Sequence, residues 1–205
     1  MNERQVITVA GEKYIVATTE NPMQIAVRNM LNPAGYVFLG NCNDSVSLMR
    51  LIRSYSPDFV VVDIAMQIRE LRNALETIDD EMLCPCIAVG DYKELEVLNM
   101  MENSKVLSFC PKPINRDVLM QIVDMAIINY KRIYELNKKL KEMTENYETR
   151  KAVERAKWVL MKRDGITEEE AYERMRKKSM NNRMSMKSIA DAIIFTYEIT
   201  SKEKK

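Results

Sequence analysis

The 205-residue sequence predicts a doubly wound α/β domain, then a long polar helix, then a small all-α bundle. Three observations carry this prediction. Short apolar strands alternate with helix-period segments over residues 1–127. No proline or glycine interrupts residues 117–163. Residues 150–199 divide into three amphipathic segments at turn signals.

The front part reads element by element. YIVAT (14–18) is a strand, and PMQIAVRNML (22–31) is a helix ending near the Pro33–Gly35 turn. YVFLGNC (36–42) is the second strand, and SVSLMRLIRSY (45–55) the second helix. DFVVVDI (58–64), CPCIAVG (84–90) and KVLSFC (105–110) are three more strands. A helix is expected around 92–103, and another starts near Arg116 after Lys112-Pro113. Strands without polar alternation that alternate with helices imply a parallel sheet covered on both faces. Five such units give a flavodoxin-like sheet. QVITVA (5–10) is an extra strand, expected to form a hairpin with the first across Gly11-Glu12.

In the long helix, Ile133, Leu136, Leu140, Met143 and Tyr147 are spaced 3, 4, 3, 4 among Lys and Glu residues. This is a heptad seam, and it predicts a parallel coiled-coil dimer. The bland alternative is a helix packing on its own domain. In the last segment, Asp164-Gly165 ends the first helix. Thr167 with Glu170 forms a capping box that starts the second. Asn181-Asn182 breaks the second, and Ser185 caps the third. The apolar stripes are Val153, Ala156 and Leu160, then Ala171, Tyr172 and Met175, then Ile189, Ala190, Ile193, Ile194 and Tyr197. Together they suit a three-helix bundle. The expected domains are 1–127, a coiled-coil linker 128–149, and 150–205.

Composition narrows the chemistry. Hydrophobic content is 46% and charged content 30%, ordinary for a globular chain. No signal peptide and no membrane-length apolar run is present, so the expected location is cytoplasmic. The four cysteines (Cys42, Cys84, Cys86, Cys110) form no CxxC pair, and there is no histidine. That argues for a reduced compartment, against a zinc site, and against Ser-His or Cys-His catalysis. The net charge of +1 hides an asymmetry. Residues 1–127 hold 11 Lys+Arg against 17 Asp+Glu, a net −6, and residues 128–205 hold 20 against 13, a net +7. A basic half beside an acidic one points to a polyanionic partner. A solvated charged helix gives a similar count.

Asp63 at the tip of the third strand is either a cap or a site. Its motif reads Asp63-Ile64-Ala65-Met66-Gln67, with Lys112-Pro113 after the last strand and Phe109 within it. On these residues, 14–127 resembles a response-regulator receiver domain. The resemblance implies that Asp63 corresponds to the phospho-acceptor, Lys112 to the conserved lysine and Phe109 to the switch aromatic. It also implies two acids that hold Mg²⁺ and a switch hydroxyl after the fourth strand. Here Thr18 and Thr19 stand at the acidic pair, with Glu20 just beyond, and Gly90 stands at the hydroxyl. Phosphoryl transfer to a carboxylate needs a divalent cation to neutralise the phosphate, and one Asp with a displaced Glu is a poor oxygen cage. The expectation is a degenerate receiver with no cofactor or metal, its Asp63 and Lys112 joined as a buried ion pair.

The most specific signal lies in the last third. Ala156-Lys157, Leu160-Met161, Glu170-Ala171, Met175-Arg176, Ser179-Met180 and Ile189-Ala190 resemble the ANTAR family of RNA-binding transcription antitermination regulators. Trp158 departs from the pattern, where the family commonly has glycine. The resemblance implies a dimer that binds hairpin-loop RNA near a terminator and lets polymerase continue. The residues chosen for RNA contact are Lys157, Arg176, Lys177, Ser179, Asn182, Arg183 and Lys187. Arg176 and Lys177, with Lys178, also suit the C-terminal dipole of the second helix. Lys187, in a first turn, opposes the dipole and so points to a ligand such as phosphate. Asn181, Asn182 and Ser179 suit unpaired loop bases.

The expected function is thus a non-enzymatic, dimeric RNA-binding antiterminator of response-regulator type, with a sensor kinase or another signalling protein as further partner. Three alternatives stand beside it. One is a regulator switched by phosphorylation of Asp63, the second a DNA-binding regulator, and the third a coiled-coil adaptor with no nucleic-acid ligand.

Overall fold

The computed structural model describes residues 11–66, 68–91 and 104–202. The proposed strand 5–10, Gln67 and the proposed helix 92–103 lie outside them. Contacts divide the chain into two units, Met1–Glu135 and Leu136–Lys205.

The first unit is a five-stranded parallel sheet in the order β2-β1-β3-β4-β5. The strands are β1 Lys13–Ala17, β2 Val37–Cys42, β3 Phe59–Asp63, β4 Cys86–Gly90 and β5 Leu107–Pro111. The helices between them are α1 Asn21–Leu31, α2 Ser45–Tyr55 and α3 Ile68–Asp80, and α4 Arg116–Asp164 follows β5. Side chains alternate across a strand, so each apolar run feeds both faces. Tyr14, Val16, Phe59, Val61, Ile87 and Val89 pack with Met23, Val27, Leu119 and Val123 on one face. Ile15, Ala17, Val60 and Val62 pack with Leu48, Ile52, Leu71, Leu75 and Ile78 on the other. Burying a side chain of this size contributes about 1.5–3 kcal/mol. That is why β3 and β4 are apolar throughout. It also puts Asp63, at the carboxyl end of β3, beside the crossover point where ligands of such sheets bind.

Helix α3 was not placed from the sequence. Leu71, Ala74, Leu75 and Ile78 give it a buried stripe at helical spacing. Arg and Glu residues crowd the same window and mask that stripe. The four cysteines are free and buried. Among the described residues no helix is long and apolar enough to cross a membrane.

The second unit holds the C-terminal part of α4 with α5 Glu168–Asn182 and α6 Met186–Lys202. Its core is Val153, Ala156, Leu160, Ala171, Met175, Ile189 and Ala190, with Ile193 and Ile194 packed against it. Tyr172, expected in the stripe, is 44% exposed. Gly165, at a φ of +66°, follows α4 in the left-handed region that glycine tolerates. The Thr167 hydroxyl accepts from the Glu170 N–H, and the Glu170 carboxylate accepts from the Thr167 N–H. This capping box satisfies two otherwise orphaned donors. Helix α5 ends with Arg183 left-handed at φ 52°, and the Ser185 hydroxyl accepts from the Ser188 N–H to start α6.

Candidate nucleic-acid interface

The Asp63 site is built from the ends of β1, β3 and β5. Asp63 has no exposed surface. Its Oδ1 accepts from Lys112 Nζ and from the Ala65 N–H, both at 3.1 Å. Its Oδ2 accepts from the Thr18 hydroxyl at 3.0 Å. The Lys112 ammonium also lies 3.9 Å from Glu20. Both carboxylate oxygens are therefore engaged by the protein. The residues present do not fit a divalent cation. Thr18 spends its hydroxyl on Asp63, Thr19 is exposed, and an ammonium stands where a cation would compete for the carboxylate. Among the described residues no group of three His, Cys, Asp or Glu side chains could hold a metal ion.

Gly90 explains itself by what stands above it. A Cβ at this position would lie 2.0 Å from Ile64 Cδ1 and 2.1 Å from Cγ1. Ile64 is buried with Ala88, against Leu107 and Phe109. The space a switch hydroxyl would use is filled by a branched side chain from the residue after Asp63. Sequence reading singled out Gly90 but not the side chain that stands over it. Only the path of the loop after β3 reveals it.

In the second unit the charged residues separate into two groups. Lys157 is only 8% exposed. Its ammonium lies 2.6 Å from both Glu154 and Glu168. Hydrogen bonds that it donates to Glu154 and then Glu168 hold its pKa above the ordinary lysine value. The same bond holds Glu168 below the usual carboxylate range. Lys157 thus ties α4 to the first turn of α5. Ser179 is engaged as well, its hydroxyl donating to the Met184 carbonyl at 2.6 Å across the turn. Arg176 pairs with Glu173 at 3.2 Å on the surface.

The other group faces water. Lys177, Lys178, Asn181, Asn182, Arg183 and Lys187 are all exposed. The last turn of α5 carries no basic residue, because the helix runs on to Asn182. The dipole therefore gives Arg176, Lys177 and Lys178 less reason to be cationic than the sequence implied, since its effect fades beyond the last turn. The first turn of α6 holds no acid to offset Lys187. The turn between α5 and α6 is thus lined by exposed cations and amides. Between α4 and α6 runs a cavity of about 350 Å³ that includes Lys151, Arg155, Lys187, Asp191 and Phe195.

The seam residues Leu136, Leu140, Met143 and Tyr147 are each at least 63% exposed. Ile133 is half-buried.

Comparison with known proteins agrees with both units. Residues 141–194 match the ANTAR domain. The transcriptional regulatory protein PdtaR of Mycobacterium tuberculosis (strain ATCC 25618 / H37Rv) is 24% identical over 184 residues, 90% of this chain and 90% of that protein. The chain shares its fold with the signal receiver domain of a modulated diguanylate cyclase from Desulfovibrio desulfuricans G20. That match has a TM-score of 0.52 and 19% identity, and covers 59% of this chain and 97% of that one. It likewise resembles the signal receiver domain of an HD domain-containing protein from Pseudomonas fluorescens Pf-5. There the TM-score is 0.54 and the identity 16%, covering 64% of this chain and 98% of that one. Residues 141–194 thus match an ANTAR domain, and the α/β domain in front of them has the fold of receiver domains.

Proposed function

We propose that this chain is a dimeric RNA-binding transcription antitermination regulator, not an enzyme, whose receiver domain works without phosphorylation. The observation that carries the RNA reading is the α5–α6 turn of the ANTAR domain. It exposes Asn181, Asn182, Arg183 and Lys187 together. Sequence-specific RNA recognition targets unpaired loop bases, and amides and cations are the side chains that read and hold them. The uncovered heptad stripe on α4 supports dimerisation. A dimer would present two such turns to paired hairpins and raise their effective concentration. Holding those hairpins would exclude the terminator.

The test is competition. Binding of a two-hairpin RNA should weaken with salt and resist displacement by duplex DNA of equal length. Equal displacement by both would favour a DNA-binding regulator.

A silent receiver is supported by the engaged oxygens of Asp63 and by Ile64 over Gly90. The retained pair of Asp63 and Lys112 is the observation that favours a phosphorylated alternative. Incubation with acetyl phosphate and Mg²⁺ separates the two. No label is expected, and a label lost in Asp63→Asn would establish the phosphorylated form.

A further inference from the structure

Trp158 is the chain's sole tryptophan. Its neighbours on α4 are enclosed: Ala156, Lys157, Val159 and Leu160 are each at most 8% exposed. Trp158 is 53% exposed. The fold gains little from it there, because half of a large apolar ring stays in water. Yet the ring is held in place. Tyr197 of α6 meets it edge-on, with centroids 6.3 Å apart and an interplanar angle of 84°. Lys162, one turn along α4, sets its ammonium over the ring at 4.8 Å.

Trp158 also has a defined neighbourhood. Arg155, one turn back, pairs with Glu198, the residue after Tyr197. Arg155 and Glu198 line the cavity between α4 and α6 that includes Lys187. Lys187 and Tyr197 are ten residues apart on α6, about 15 Å of helix. Lys187 therefore lies near the start of α6, and the Tyr197 that meets Trp158 lies toward its other end.

We propose that Trp158, braced by Tyr197 and Lys162, is a stacking platform for one unpaired base of the bound RNA. The proposal rests on the RNA reading above. A base needs a flat, pre-oriented π-face, and every base has one of its own, so stacking tolerates sequence. A cation at the ring favours an anionic strand and adds its own attraction to the π-system. In the basic half of the chain, net +7, such a ring fits a nucleotide better than an acidic partner.

A sole tryptophan makes the test direct. Full-length protein is titrated with an unlabelled RNA hairpin carrying unpaired purines in its loop, and tryptophan emission is followed. Binding is measured separately by anisotropy of the same hairpin carrying a fluorophore. Stacking predicts quenching that saturates with binding. It predicts much less quenching by a hairpin with abasic loop positions. Trp158→Leu should weaken binding roughly 10-fold, and Trp158→Phe should restore part of it. Circular dichroism should show both variants folded, because the ring lies on the surface. Binding without quenching, with Trp158→Leu unaffected, would overturn the platform and leave the RNA reading intact. Failure of wild type to bind any RNA would overturn both. A concentration-dependent blue shift without RNA, together with loss of self-association in Trp158→Leu, would assign the ring to a second copy of the chain and overturn the platform.

Discussion

Asp63 and Lys157 are ionisable side chains held inside their units, and each finds partners there. Unpaired, either would carry a large desolvation cost. Asp63 is matched by Lys112, Thr18 and the Ala65 N–H. Asp63→Asn keeps the shape but turns an amide toward donors. It should lower the stability of the α/β unit by about 1–3 kcal/mol, read from the denaturant midpoint. Gly90→Ser should cost about as much by overpacking against Ile64. Adding Ile64→Ala should make the double variant more stable than the sum of the singles predicts, since the two side chains compete for one space. Lys157 gives a pH signature. Glu168 is held below its ordinary range by Lys157, and Asp164 by Arg163. Groups with lowered folded values stabilise fully above the ordinary carboxylate range and lose that contribution as pH falls through the folded value. The thermal midpoint of the ANTAR unit should therefore be level above about pH 5 and fall below it. Lys157→Ala should shrink that acid limb and lower the midpoint at neutral pH. Lys157 was readable from sequence as a conspicuous cation beside an apolar stripe. Its carboxylate partners were not, because Glu168 belongs to the next helix.

At the scale of elements, apolar runs and caps told most. The β3 and β4 runs, the Thr167 capping box and the Ser185 cap are local patterns, and local patterns survive into the structure. What stayed hidden depends on distant chain. α3 was masked by its charges, and Ile64 meets Gly90 only once β3 and β4 are paired. Tyr172 fell on a helical stripe but faces water, because α5 is covered along a narrower face than the spacing implied. Helix α4 carries the clearest element-level prediction. Its exposed seam at Leu136, Leu140 and Met143 should bury against a second copy. Leu140→Asp should convert the dimer to monomer in sedimentation while leaving helicity nearly unchanged.

At the scale of the molecule, charge is unevenly spread, net −6 over residues 1–127 and net +7 over residues 128–205. The α/β domain has the fold of receiver domains, and Asp63 at the carboxyl end of β3 is closed in by neighbouring side chains and the Ala65 N–H. The ANTAR domain keeps a tight apolar core and leaves its α5–α6 turn to solvent. The central claim is that this turn binds RNA. The most direct measurement is the affinity for a two-hairpin RNA across a salt series, for wild type and for Arg183→Ala with Lys187→Ala. If the turn holds phosphates, the double variant binds more weakly, and its salt slope falls by about three, because each protomer of the dimer loses both cations. If affinity and slope are unchanged, the cations of the turn are a solvated surface, and RNA is not bound there.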